Sequence, residues 1–153
     1  MQKEIKYYIN EFVNLYNGKL WLDVTLLSVL NKVDAHTAFN KPGKRLHSIA
    51  EIVCHIIDYR KFLLAQFDLN VKFDVKQEAS FGTKRYADNW QDILKTLKNT
   101  QKSLLDSLKK ANDEKLEQKV SHRKYNIKYL LNGIIQHDVY HLGQLMLLLK
   151  MLK

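Results

Sequence analysis

A four-helix bundle is the fold class that this sequence predicts, and three observations predict it. Apolar residues recur at helical spacing through four long stretches. Helix breakers are scarce, with one proline and five glycines in 153 residues. Several stretches also open on the side chains that start helices, and one wide connection separates the middle pair. The chain is read as one domain over residues 1–153, long enough to bury a core.

The first helix covers residues 4–16, with Ile5, Ile9, Phe12, Val13 and Tyr16 as its apolar stripe, and Asn17-Gly18 interrupts it. Residues Trp21 to Val33 resume the pattern through Val24, Leu27 and Leu30. Asp34 reads as the N-cap of one short turn through Phe39, and Lys41-Pro42-Gly43 stops any helix there. Ser48 and Glu51 form a capping box. Behind it Ile49, Ile52, Val53, Ile56, Leu63, Leu64 and Phe67 carry a helix of about twenty residues toward Asn70. His55 falls at the edge of that stripe, flanked by Tyr59 and Phe62.

Residues 71–87 keep no period and contain Gly82, so they read as a long loop or lid, with a short extended pair around Val71–Val75. Asp88 and Gln91 suggest a second capping box. From there Trp90, Leu94, Leu97, Gln101, Leu104 and Leu108 make a seam for packing, which Ala111-Asn112-Asp113 ends. Residues 114–124 are polar, with one turn of helix at most. Asn126 is the expected N-cap of a final helix that runs almost to the C-terminus.

Composition excludes several classes. Residues 1–6 have no apolar run behind their charges, so no signal peptide is expected. The longest apolar run, Leu145 to Leu149, is too short to span a bilayer. Cys54 stands alone, which excludes a disulfide framework and makes a reducing cytoplasm the expected location. The net charge of +9 permits nucleic-acid binding. Yet the lysines are dispersed along polar positions, with no basic tail, arginine cluster or reading motif, so a solvated surface is the better account.

The chemistry concentrates in the last helix. At about 100° per residue, His137 and His141 lie on one face one turn apart, and Gln144 shares that face. Leu130, Ile134, Leu148 and Leu152 lie there too, so the imidazoles sit on the stripe that turns to the core. Buried imidazoles need partners, and a shared metal ion would supply one. Core histidines bonded to neighbouring groups are the plainer alternative. No Glu follows the first His, so the zincin pattern is absent. A catalytic site needs a third ligand, for which His36, His47, His55 and His122 are the candidates. His36 and His122 fall in expected turns, and His47 is placed to staple against Ile52. His55 is the one inside a long helix, where a carboxylate such as Glu51 or Asp58 could equally hold it.

The segments His47-Ser-Ile-Ala-Glu51-Ile-Val-Cys-His55-Ile and Gly133-Ile-Ile-Gln-His137-Asp138-Val-Tyr140-His141-Leu-Gly143-Gln144 resemble the two signature segments of the DinB/YfiT-like superfamily. A weaker similarity extends over nearly the whole chain, through the Trp21 segment, the Lys41-Pro42-Gly43 turn and the Trp90 helix start. The resemblance implies an up-down-down-up four-helix bundle with a divalent metal held by His55, His137 and His141. It also implies a metal-dependent enzyme that activates a thiol or water, of the thiol S-transferase or hydrolase type. The metal would be zinc, nickel or iron, since imidazole ligands suit several ions alike. The implied substrate is a small molecule, a low-molecular-weight thiol among the options, and the implied assembly is a homodimer. Gln144 and Tyr140 are the candidate catalytic residues, the first to bond a metal-bound water and the second to donate to substrate. A buried Gln held by a neighbouring helix and a core-packed Tyr are the corresponding structural readings. Asp138, about 100° round from His137, is expected to support a ligand or face solvent. Cys54 follows Val53 into the core. The rival functions are a non-catalytic metal-binding or structural bundle and, from charge alone, a nucleic-acid-associated protein.

Overall fold

The periodicity of residues 4–16 becomes helix α1 (Lys3–Asn17), which buries Ile5, Tyr8, Ile9, Phe12, Leu15 and Tyr16. The computed structural model describes residues 3–68, 70–76, 80–86 and 88–153. Two short helices follow, α2 (Leu26–Leu30) and α3 (Ala35–Phe39). The helix expected from Trp21 is shorter than its pattern. Thr25 and Ser28 form a capping box that starts α2 only at Leu26, leaving Trp21 outside and 95% exposed. Asp34 caps α3 as expected, its carboxylate accepting the Thr37 N–H at 2.8 Å.

Helix α4 (Ile49–Leu64) opens on the Ser48–Glu51 capping box, with the Ser48 N–H donating to Glu51 Oε2 at 2.9 Å. It ends at Leu64, short of Asn70, in hydrogen-bonded turns through Phe67. Nearly every side chain of α4 is buried, which its apolar stripe alone does not demand. Residues 71–76 form no strand, and a 3₁₀ turn spans Thr83–Arg85. Residues 77–79 and 87 of the expected loop lie outside the described residues.

Helix α5 (Trp90–Lys110) is capped by Asn89, whose side chain accepts the Asp92 N–H at 2.9 Å. The cap therefore stands one residue later than the Asp88–Gln91 pattern suggests. Ile93 is fully buried beside Trp90 and Leu97, while Leu94 is only partly buried. Trp90 is buried and its indole N–H donates to the Val33 carbonyl at 3.0 Å, pinning the start of α5 to the α2–α3 link. The stretch read as polar buries Leu116, within a 3₁₀ turn (Asp113–Glu117), and Val120. It returns through an antiparallel bridge between Lys119 and Asn126. Asn126 caps α6 (Ile127–Leu152), accepting the Tyr129 N–H at 2.9 Å.

Four long helices thus dominate an all-helical fold. Helix α4 packs on α5 and α6, and α1 packs on the same two. The core forms two apolar clusters. One gathers the start of α4, the start of α5 and the end of α6 around Val53, Leu97 and Leu145. The other joins α1 to the end of α4, the end of α5 and the start of α6 around Phe12, Leu104 and Leu131. Between them, on three helices in turn, fall the buried polar residues His55, Asp58 and Arg60, then Thr100 and Gln101, then Asp138 and His141. Among the described residues no helix is long and apolar enough to cross a membrane.

Candidate metal centre

Two of the three histidines share α6, and α4 brings the third against them. The one-turn spacing of His137 and His141 sets their Nε2 atoms 3.1 Å apart. His55 reaches in from α4, its Nε2 2.9 Å from that of His137. The ligand-capable nitrogens of all three lie within 4.8 Å of one another. His55 and His141 are buried, while His137 keeps 17% of its side chain exposed, so the cluster opens on His137's side.

What each ring does with its other nitrogen determines what the cluster can hold. His137 Nδ1 lies 3.0 Å from Asp138 Oδ1, and a carboxylate only accepts, so that nitrogen carries the proton. His141 Nδ1 donates to Gln144 Oε1 at 2.6 Å. His55 Nδ1 meets Ser80 Oγ at 2.6 Å. With the proton at Nδ1 of His137 and His141, their lone pairs remain at Nε2. His55 matches them when its Nδ1–H donates to the Ser80 hydroxyl, which can accept or donate, and the three Nε2 atoms are the ones that converge. Lone pairs about 3 Å apart repel unless a cation lies among them. The donor set therefore fits a divalent ion: neutral imidazoles whose distal nitrogens are oriented by hydrogen-bond partners. Electrostatics keep His55 and His141 neutral. Burial, then the neighbouring His137 and His141, pushes His55 down to about 3. Burial and His137 push His141 down to about 4.

Asp138 is fully buried, as a supporting carboxylate and not a surface one. Burial works to raise its pKa, but the Arg60 guanidinium and His137 outweigh it and hold the carboxyl below the usual range. Arg60 Nε donates to Asp138 Oδ2 at 2.7 Å, and Arg60 Nη1 donates to Gln101 Oε1 at 2.5 Å. Gln101 in turn donates to the Phe12 carbonyl at 3.1 Å. One buried chain of polar contacts thus runs from α1 through α5 and α4 to the His137 ring on α6.

Several expectations need correction. His55 is held by Ser80 instead of a helix carboxylate; Glu51 goes to Ser48, Lys41 and His47, and Asp58 accepts from Tyr86. Gln144 is tied within its own helix, donating to the Tyr140 hydroxyl at 3.0 Å besides accepting from His141. Tyr140 is 64% exposed, so core packing does not describe it. His36 and His122 are exposed and stand apart from the cluster, as expected. His47 is exposed too, yet it joins the site indirectly. Its ring stacks on Phe81 at 3.8 Å, and Phe81 stacks on His55 at 4.0 Å. Cys54 is buried among apolar residues, as its neighbour Val53 implied.

Arg60, Ser80, Phe81 and Tyr59 are the residues that sequence reasoning passed over or left as flanks. Arg60 carried a readable signal, a charge four residues after Ile56 and three before Leu63 within an apolar stripe. Tyr59 stacks on His137 at 4.2 Å. Beside that pair opens a cavity of about 440 Å³.

A helical fold with a cluster of three metal-competent histidines defines the class: a helical protein with a candidate mononuclear metal centre. The family model of the DinB superfamily matches residues 24–145, and the chain belongs to that superfamily. No curated protein and no solved structure matches the chain.

Proposed function

We propose that this chain is a metal-dependent enzyme that activates a thiol or a water as its nucleophile, for S-transfer to a small electrophile or for hydrolysis. The observation that carries the reading is the convergence of three Nε2 atoms whose Nδ1 partners are already in place. His55, His137 and His141 would hold a zinc, nickel or iron ion. A divalent ion with an open position supplies acidity, lowering the pKa of a bound thiol or water toward neutrality. The chain's own residues do the rest. Asp138 orients His137, Ser80 orients His55, and Gln144 orients His141. Tyr140 accepts from Gln144, which leaves its own proton to give to a substrate. The cavity beside His137 admits that substrate. We take the four long helices to run up-down-down-up, the order the family implies.

Elemental analysis of protein purified without an affinity tag tests the metal half of this reading. The expected result is about one divalent ion per chain, retained by wild type and lost from His137→Ala. Wild-type protein without an ion, and unable to take one up on dialysis against zinc, nickel or ferrous iron, overturns it. A loaded protein that turns over no thiol and electrophile pair and no ester or amide would support the binding-module alternative.

We also read the chain as a homodimer. Leu147 and Met151 are exposed along one side of α6, large apolar groups for a second copy to cover. Sedimentation should give about twice the 18.1 kDa chain mass at micromolar concentration, and a single species at the chain mass contradicts the reading.

A further inference from the structure

We propose that the cavity beside His137 is built for an organic anion carried on an aromatic ring, the ring lying against the cavity's aromatic wall and the anionic group on Arg123. This deepens the metal-enzyme reading and rests on it for what becomes of the ligand, not for how the ligand is held.

The volume of about 440 Å³ is that of a site for a small organic molecule. Four aromatic side chains line it: Tyr59 and Phe62 from α4, Tyr125 from the turn before α6, and Tyr129 from its first turn. Such rings favour offset or edge contacts with another flat ring. On the α6 side Gly133 leaves room, because a Cβ there would meet nothing within 4 Å. Among the described residues that line it, Arg123 brings the formal charge, and its counter-ion Asp74 is not part of the lining.

Arg123 is held ready without being used up. It follows His122, whose φ of 58° lies in the left-handed region and turns the chain there. Its Nη1 donates to the His122 carbonyl at 3.3 Å and its Nη2 donates to Asp74 at 2.8 Å. The guanidinium lies 5.2 Å from the Phe62 ring centre, which braces it on the cavity side. Those bonds engage two of the five N–H groups that a guanidinium carries. The Asp74 side chain is 62% exposed, so the ion pair is weakly held and a ligand carboxylate can share or replace it. A guanidinium takes a planar carboxylate through paired hydrogen bonds, a geometry an amide cannot match. His137 lines the same cavity, so a ligand anchored at Arg123 can extend toward the three histidines.

Calorimetric titration with 3-phenylpropionate, its neutral amide 3-phenylpropionamide, and butyrate tests the proposal, each on zinc-loaded and on chelator-treated protein. Wild type should bind the acid about tenfold more tightly than the amide in both forms, with butyrate weaker than either. Arg123→Met should abolish the preference for the acid and leave amide affinity unchanged. Gly133→Leu should weaken both ring ligands tenfold or more, with an unchanged melting profile confirming that the fold is kept. Equal affinity for acid and amide in wild type overturns the proposal, as does undiminished binding by Gly133→Leu. A preference for the acid that appears only with zinc and survives Arg123→Met also overturns it, since the carboxylate then sits on the ion. Should the chain prove unable to bind metal, the chelator-treated titrations still decide the matter.

Discussion

At the scale of single residues, the Arg60–Asp138 pair is where stability and the histidine cluster meet. Both side chains are fully buried, and Arg60 Nη2 has no partner among the described residues. Removing either partner leaves a charge stranded in the core, so Asp138→Asn or Arg60→Met should each cost about 3–5 kcal/mol. The double variant should cost less than the sum, and urea unfolding of the four proteins measures that coupling. Additive losses would show that the pair is not the unit described here. Asp138→Asn should also lower metal affinity about 10- to 100-fold, because an amide no longer holds the His137 proton at Nδ1. A second prediction follows from the depressed histidines. Folded His55 and His141 titrate near 3 and 4, against 6.5 for a free ring. The unfolded chain therefore takes up protons first as pH falls. Metal-free protein should keep its full stability above about 6.5 and lose it progressively toward pH 4 and then 3. Urea midpoints at three pH values across that window check the sign; a midpoint that holds or rises on acidification contradicts it.

At the scale of elements, helix starts decide how the site is presented. Asn89 accepts from the Asp92 amide, whereas Asp88 is exposed ahead of the cap. Asn89→Ala should cost about 1 kcal/mol and Asp88→Ala only a few tenths, read from thermal or urea unfolding. The opposite order would restore the Asp88–Gln91 register. Caps such as Asp34, Ser48 and Asn126 were legible in the sequence because the bond that makes them spans only three residues. Where the sequence misled, the deciding contact was remote. Leu94 and Ile93 fit a helical stripe almost equally well, and the placement of α5 against its neighbours chose Ile93. Trp21 satisfies the apolar pattern, but the local capping box at Thr25 starts the helix after it.

At the scale of the whole molecule, two apolar clusters enclose a polar layer, and the histidine cluster is the part of that layer nearest the cavity. A full core on either side means that the fold does not depend on the ion, unlike a small zinc finger. An ion bound only by the native state adds about 2.7 kcal/mol at a hundredfold excess over Kd. Chelation should therefore lower Tm while leaving a cooperative transition. His137→Ala should lose the metal-dependent increment. His122→Ala should keep that increment even though its baseline drops, since alanine is strained at a φ of 58°. Identical melting curves for loaded wild type, chelated wild type and His137→Ala would sink the metal centre.

By itself the sequence determined the helical class, the one-turn pairing of His137 with His141, and the caps of α3, α4 and α6. Each of these depends on residues within a turn or two of one another, and helical geometry relates such neighbours without help from the rest of the chain. It could offer His55 only as one candidate among several, and family resemblance singled it out. The second nitrogens of His137 and His141 meet neighbours on their own helix, whereas tertiary structure alone decided that of His55 and the partner of Asp138. Ser80 stands 25 residues from His55, and Arg60 stands 78 from Asp138. Contacts at such separations leave no periodicity to read: the fold-back of the α4–α5 connection onto α4 makes the first, and the packing of α4 against α6 makes the second.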